Sequence, residues 1–176
     1  MAKKLAVRGT QYPVTAEFIF NYNDWVTDSG SGVKYTFGAA VTNTGTATAV
    51  DPGTGIVEPG LTSGTGLTFD CIPMPLGAYI TGAEVNVETA YVGIGAGATL
   101  SLGIAGSTTA LVNAADLDAA AAGAKLTIAT FTPTLSNSGQ NIRLTLAGLT
   151  AAASAGRVRV RVNYTIDGKV NEVSAV

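Results

Sequence analysis

Apolar and polar residues alternate strictly over one stretch near the end of the chain, GRVRVRVNYTIDG. Its apolar positions share one face: Val158, Val160, Val162, Tyr164 and Ile166. Its polar positions share the other face: Arg157, Arg159, Arg161, Asn163 and Thr165. Successive side chains of a strand point to opposite faces, whereas a helix would scatter this set around its axis. The stretch therefore predicts a β-strand that buries its valines.

The same alternation recurs in shorter stretches. It predicts further strands around residues 18–22, 33–37, 67–71, 83–91, 100–104, 126–128 and 142–146. Glycines and prolines separate these stretches, as Pro73, Pro75 and Gly77 do after residue 71. About eight short strands in this arrangement predict an all-β fold, an antiparallel β-sandwich that resembles a jelly roll.

Three segments interrupt the strand pattern. Residues 1–32 hold the aromatic patch EFIFNYNDWV and then DSGSG, and we predict an extended N-terminal arm ahead of a β-sandwich domain over 33–176. Residues 43–66 are rich in Thr, Gly and Pro, which indicates a long loop. Asn113 could cap a helix over Ala114–Ala122 that ends at Gly123, so we expect at most one short helix.

The chain lacks the residue types that most catalytic and metal sites need. It has no histidine and one cysteine, Cys71, which excludes a Ser-His-Asp triad, a histidine metal site, a cysteine-rich zinc site and an intrachain disulfide. Glu84 and Glu88 lie four residues apart on one strand, about 13–14 Å, which is too wide for a glycosidase pair. Cys71 falls on the apolar face of its strand and is expected to be buried. We expect no enzymatic activity and no cofactor.

Charge and composition point to a protein that works in an assembly. Charged residues make up 12% of the chain and apolar residues 47%. So few charges protect a surface poorly against association, although a monomer with a threonine-rich surface is the alternative. The net charge of −2 argues against a nucleic-acid partner. No apolar run predicts a membrane span or a secretory signal, so we expect synthesis in a cytoplasm.

The arginine row of the last strand permits three interpretations. Arg157, Arg159 and Arg161 could pair with carboxylates across the sheet, for which Glu84 and Glu88 are candidates. They could instead form a docking face for an acidic protein partner. Nucleic-acid binding is the third interpretation, and the negative net charge disfavours it.

Residues 72–106 carry a resemblance that goes further than composition. In IPMPLGAYITGAEVNVETAYVGIGAGATLSLGIAG, a Pro-x-Gly-Ala step and an isoleucine strand lead to a Val-x-Val-x-Thr-Ala-aromatic strand, a glycine-rich loop and a Leu-x-Gly strand. The residues concerned are Pro75, Gly77, Ala78, Ile80, Val85, Val87, Thr89, Ala90, Tyr91, Leu102 and Gly103. This order resembles a pattern of tailed-bacteriophage virion proteins, most of all capsid decoration (cement) proteins.

The resemblance implies a structural virion protein without chemistry of its own. Such a protein would be made in the host cytoplasm, form a homo-oligomer (a dimer or trimer), bind the major capsid protein on the capsid exterior and stabilise the shell by bridging subunits. The residues expected to contact partners are Phe18, Phe20, Tyr22, Trp25, Arg157, Arg159 and Arg161. For Trp25 the default interpretation is a packing residue, and an interface anchor is the alternative. A head-fibre, neck or tail component and a carbohydrate-binding β-sandwich are the alternatives.

Overall fold

A computed structural model of the chain describes residues 13–28, 34–40, 49–50, 57–58, 67–104, 107–126, 134–136 and 141–166. Every regular element within these ranges is a strand, which confirms the all-β prediction. The strands are β1 (Val14–Asn21), β2 (Trp25–Thr27), β3 (Lys34–Thr36), β4 (Ala49–Val50), β5 (Val57–Glu58), β6 (Leu67–Ile72), β7 (Ala78–Val92), β8 (Thr99–Ile104), β9 (Ser107–Asp116), β10 (Lys125–Leu126), β11 (Thr134–Ser136), β12 (Ile142–Ala147) and β13 (Ala155–Ile166).

Two antiparallel sheets make up the body of the protein. The first sheet has the order β1-β13-β7-β10, and β11 also pairs with β7. The second sheet has the order β6-β12-β8-β9. Two small ribbons, β2-β3 and β4-β5, complete the described strands. This arrangement is consistent with the predicted β-sandwich.

The alternating apolar residues of both sheets form one buried core. The first sheet contributes Phe20, Ala78, Ile80, Val85, Val87, Val158, Val160 and Val162. The second sheet contributes Leu67, Phe69, Leu100, Leu102, Ile142, Leu144 and Leu146. Full burial of one valine, leucine, isoleucine or phenylalanine side chain stabilises the fold by about 1.5–3 kcal/mol. The period of two in the sequence is therefore the signature of the inner face of each sheet.

The helix considered for Ala114–Ala122 does not form, because residues 114–116 are the end of β9 and residues 117–122 include bends and part of a turn. Ala115 and Asp116 pair with Leu100 and Thr99 of β8, and the Leu117 N–H donates to the carbonyl of Ala98. Leu117 is fully buried. The neighbouring strand supplies the backbone hydrogen bonds, and burial of the segment's one large apolar side chain outweighs the weak helix propensity of its alanines.

Part of the predicted N-terminal arm belongs to the first sheet. The eight residues of β1 pair with β13 from Val14 opposite Tyr164 to Asn21 opposite Arg157, without a shift in register. The β2-β3 hairpin follows, and its second strand leads into Phe37, which is buried. Residues 1–12 and 29–32 of the predicted arm lie outside the described residues, as does most of the predicted loop over 43–66.

Candidate functional site

Four phenylalanine rings meet between the edges of the two sheets. Phe18 and Phe20 come from β1, Phe69 comes from β6, and Phe37 follows the β2-β3 hairpin. The centroids of Phe20 and Phe37 lie 4.3 Å apart, and those of Phe37 and Phe69 lie 4.8 Å apart. Pairs in such geometry add about 0.5–1.5 kcal/mol beyond area burial. This ring cluster therefore fastens β1 and the hairpin to the second sheet.

The four aromatic residues that we predict to contact a partner differ in how much of each side chain is exposed. Phe20 is 1% exposed and offers no surface to another molecule, whereas Phe18, Tyr22 and Trp25 are half-buried against the core. The backbone of Tyr22 is fixed, since its N–H donates to the Gly156 carbonyl at 2.9 Å. Only the outer parts of Phe18, Tyr22 and Trp25 are left for partner contact, which stays a prediction.

The three arginines of β13 form an ion-pair ladder on the outer face of the first sheet. Glu88 of β7 accepts from the Nε atoms of Arg157, at 2.7 Å, and of Arg159. Glu17 of β1 accepts from Arg159 Nη1 at 3.2 Å and from Arg161 Nε at 2.7 Å. The ladder therefore runs Arg157–Glu88–Arg159–Glu17–Arg161, with each carboxylate held between two guanidinium groups.

Of the carboxylates considered from the sequence, Glu88 joins the arginines and Glu84 does not. Glu84 pairs with Lys125 at 3.0 Å and accepts from Asn86 at 2.6 Å. Glu17 is the ladder residue that sequence reasoning misses. It lies 144 residues from Arg161, and the only local signal is its position between apolar residues on the polar face of β1.

Mutual neutralisation sets the electrostatics of the ladder. The hydrogen bond from Arg161 is the main cause that lowers the pKa of Glu17. The hydrogen bond to Glu88 is the main cause that raises the pKa of Arg159. Three guanidinium groups and two carboxylates leave one positive charge uncompensated. The row therefore offers an acidic partner far less charge than the sequence suggests.

The polar and ionisable groups outside the ladder were considered as metal ligands, nucleophiles and caps. No group of three or more His, Cys, Asp or Glu side chains comes together there in a way that could hold a metal ion. Burial raises the pKa of the Cys71 thiol to about 12, which makes it a poor nucleophile. Asp116 and Asp118 cap backbone N–H groups of Ala119 and Gly97. No helix in these parts of the chain has the length and apolar character needed to cross a bilayer.

Comparison with known proteins gives one similarity in structure and none in sequence. No family model and no curated protein matches the chain. Among solved structures, the chain is similar to a chain of the cyanophage Pam1 capsid asymmetric unit, with a TM-score of 0.56 and 16% identity. The similarity covers 93% of this chain and 93% of that chain. At this level of identity it shows a shared fold over nearly the whole length.

Proposed function

We propose that this protein is a structural component of a bacteriophage virion and has no enzymatic role. The observation that carries the proposal is the fold shared, over 93% of both chains, with a chain of the cyanophage Pam1 capsid asymmetric unit. The described acidic groups support it, because Glu17, Glu84, Glu88 and Asp70 are engaged in ion pairs rather than gathered around a cleft.

The strand order supports a finer proposal about the fold. β10 and β11 flank the same edge of β7 and count as one strand, so eight strands form the two sheets. In chain order these eight strands are β1, β6, β7, β8, β9, β10 with β11, β12 and β13. If they are numbered 1 to 8 in that order, one sheet has the order 1-8-3-6 and the other has the order 2-7-4-5. Chain neighbours mostly lie in opposite sheets, which is the arrangement of a jelly roll, a fold used by viral capsid domains. We therefore assign the sandwich to the jelly-roll class.

The finer functional proposal is a decoration protein on the exterior of the capsid. The chain would be synthesised in the host cytoplasm, form a homo-oligomer and bridge neighbouring subunits of the major capsid protein. Such a protein stabilises the shell by mass action, since it binds the assembled lattice and not the free subunits. The charged fraction of 12% is low for a surface that stays in solvent, which supports a role in contact with other protein surfaces.

Sedimentation with assembled heads tests this proposal. Purified protein is mixed with heads of the same phage that lack it, and separately with free major capsid protein. We expect co-sedimentation with the heads, no complex with free subunits and a higher temperature of head disruption. Electron microscopy of the decorated heads then locates the added density. Failure to bind heads, or density at the neck or tail of virions, would overturn the decoration role.

A further inference from the structure

The edges of the two sheets are protected to very different degrees. β9 pairs with β8 through two register shifts and contains Ala114 at a φ of 43°. β10 and β11 are two and three residues long. At the edge of β6, the Asp28 carboxylate accepts from the Thr68 N–H at 2.9 Å. Irregular, short or capped edges resist pairing with another strand.

Among the described residues, β1 has such a protection only at its last residue, where the Asp24 carboxylate accepts from the Asn21 N–H. It is eight residues long, pairs with β13 without a register shift and contains neither proline nor lysine. Among the described strands, β13 is its sole pairing partner. Thr15 and Glu17 are exposed, and Ile19 is half-buried. A regular edge of this kind is a template for strand addition.

The hydrogen bonds at the end of β1 show which main-chain groups face away from β13. The Tyr22 N–H points towards the β13 side, where it donates to the Gly156 carbonyl at 2.9 Å. The Asn21 N–H donates to Asp24 Oδ2 at 2.7 Å, and the Asn21 carbonyl accepts from the Asp24 N–H. Directions alternate along a strand, so the N–H and C=O groups of Thr15, Glu17 and Ile19 point to the open edge.

We propose that this edge pairs antiparallel with β1 of a second copy of the chain, so that the first sheets of the two copies form one continuous sheet. The inference deepens the homo-oligomer part of the proposed function and rests on it. The pairing is isologous, because the same strand contributes both sides about a twofold axis. The axis passes between the two Phe18 residues, which places Glu17 opposite Ile19 of the second copy.

Side-chain chemistry favours this register over one centred on Glu17. A shift that puts Glu17 on the axis would set two carboxylates opposite each other, which is destabilising. With Phe18 on the axis, the half-buried Phe18 ring of each copy packs against the Phe18 ring of the second copy. Ala16 of each copy then lies opposite the larger Phe20 of the second copy. Glu17 retains its ion pairs with Arg159 and Arg161 of the same chain, and no carboxylate of the second copy lies opposite it. The strand is thus complementary to itself, which favours a second copy over a foreign strand.

A proline substitution tests the edge without breaking the sheet. In Ile19→Pro the lost N–H is one that points away from β13, so the β1-β13 pairing keeps its hydrogen bonds. Ile19→Ala is the matched control, since it shortens the side chain and keeps the N–H. The mass of each variant is measured by sedimentation equilibrium, and its folding is checked by thermal melting. We expect dimers for the wild type and I19A, and for I19P a Kd about 10- to 100-fold higher.

A cross-linking experiment keeps the proposal testable if I19P does not fold. Residues paired by hydrogen bonds across antiparallel strands have Cα atoms about 5.5 Å apart, within the range of a disulfide. Mixed E17C and I19C chains should therefore form an interchain disulfide faster than either variant alone. A monomeric wild type, an I19P dimer of wild-type affinity, or no preference for the mixed disulfide would overturn the inference. Binding to assembled heads is measured separately, so a failure here leaves that test unaffected.

Discussion

At the scale of single residues, Gly156 shows how closely β13 approaches its neighbours. A Cβ added at this position would lie 2.6–2.7 Å from three ring atoms of Tyr91, and the residue has a φ of 150°. Both observations exclude a larger side chain without movement of the ring or the backbone. The buried Tyr91 hydroxyl has no hydrogen-bond partner among the described residues, and burial raises the pKa of Tyr91. The ring is therefore held by packing.

We expect Gly156→Ala to lower the free energy of unfolding by about 1–3 kcal/mol, because the new methyl group overpacks the Tyr91 ring. Urea denaturation measures the change. Gly82→Ala in β7 is the control, since its Cβ would meet only Asn163 Nδ2, at an ordinary 3.6 Å. That variant should stay within about 0.5 kcal/mol of the wild type. Equal effects of the two substitutions would contradict the steric explanation.

At the scale of elements, the ion-pair ladder joins β1, β13 and β7 across the outer face of the first sheet. Its side chains are 27–45% exposed, so solvent screens each pair. Their effect comes from the shared arrangement, in which Arg159 contacts both Glu88 and Glu17. The ladder therefore helps to fix the register of an edge strand that is far from β13 in sequence.

Glu17→Gln should make the stability of the protein less sensitive to acid. The pKa of Glu17 is lower in the folded chain than in the unfolded one. Its contribution is therefore complete above the unfolded value of about 4.3 and is lost as the pH falls through the folded value. Urea midpoints should be lower for E17Q than for the wild type at pH 7 and should converge at low pH.

High salt provides the control for the same variant. Screening weakens exposed ion pairs, so 1 M NaCl should reduce the difference between E17Q and the wild type at pH 7. A difference that is unchanged by both salt and acid would mean that Glu17 acts through packing and not through its charge.

At the scale of the whole molecule, the beginning and the end of the described chain lie side by side. Val14 pairs with Tyr164 at one end of the first sheet, and Asn21 pairs with Arg157 at the other. The ring cluster then ties β1 to the second sheet through Phe37 and Phe69. Residues 14–21 are thus part of the sandwich fold, although the sequence pattern assigns them to an arm.

Two truncations separate folding from partner binding at this scale. Deletion of residues 1–25 removes β1 and two rings of the cluster, and we expect it to abolish the cooperative thermal transition. Loss of Phe20 alone would cost about 3–5 kcal/mol, a large share of the 5–15 kcal/mol typical of a domain. Deletion of residues 1–12 leaves every described strand intact and should melt cooperatively. Cooperative melting of the longer truncation would show that β1 is dispensable for the fold.

The second truncation also examines the predicted bridging role of the arm. If residues 1–12 contribute to bridging, a folded chain without them should be retained on assembled heads less well than the full chain. Full occupancy would confine partner contact to residues from 13 onwards.

The amino-acid sequence by itself determined most strands of the two sheets, because the period of two is a local property of the backbone. It also determined the buried faces of β13 and β6, where Val158, Val160 and Leu67 alternate with polar residues. The lack of histidine likewise excluded whole classes of site before any fold was known.

Tertiary structure alone decided the pairing of distant strands and what each side chain meets there. Glu17 finds Arg161 across 144 residues, and residues 114–116 become strand because β8 lies beside them. The edge of β1 that no described strand covers has the same origin. Whether a main-chain N–H or C=O group forms a hydrogen bond depends on strands that are remote along the chain. The local pattern of side chains does not show which strands those are.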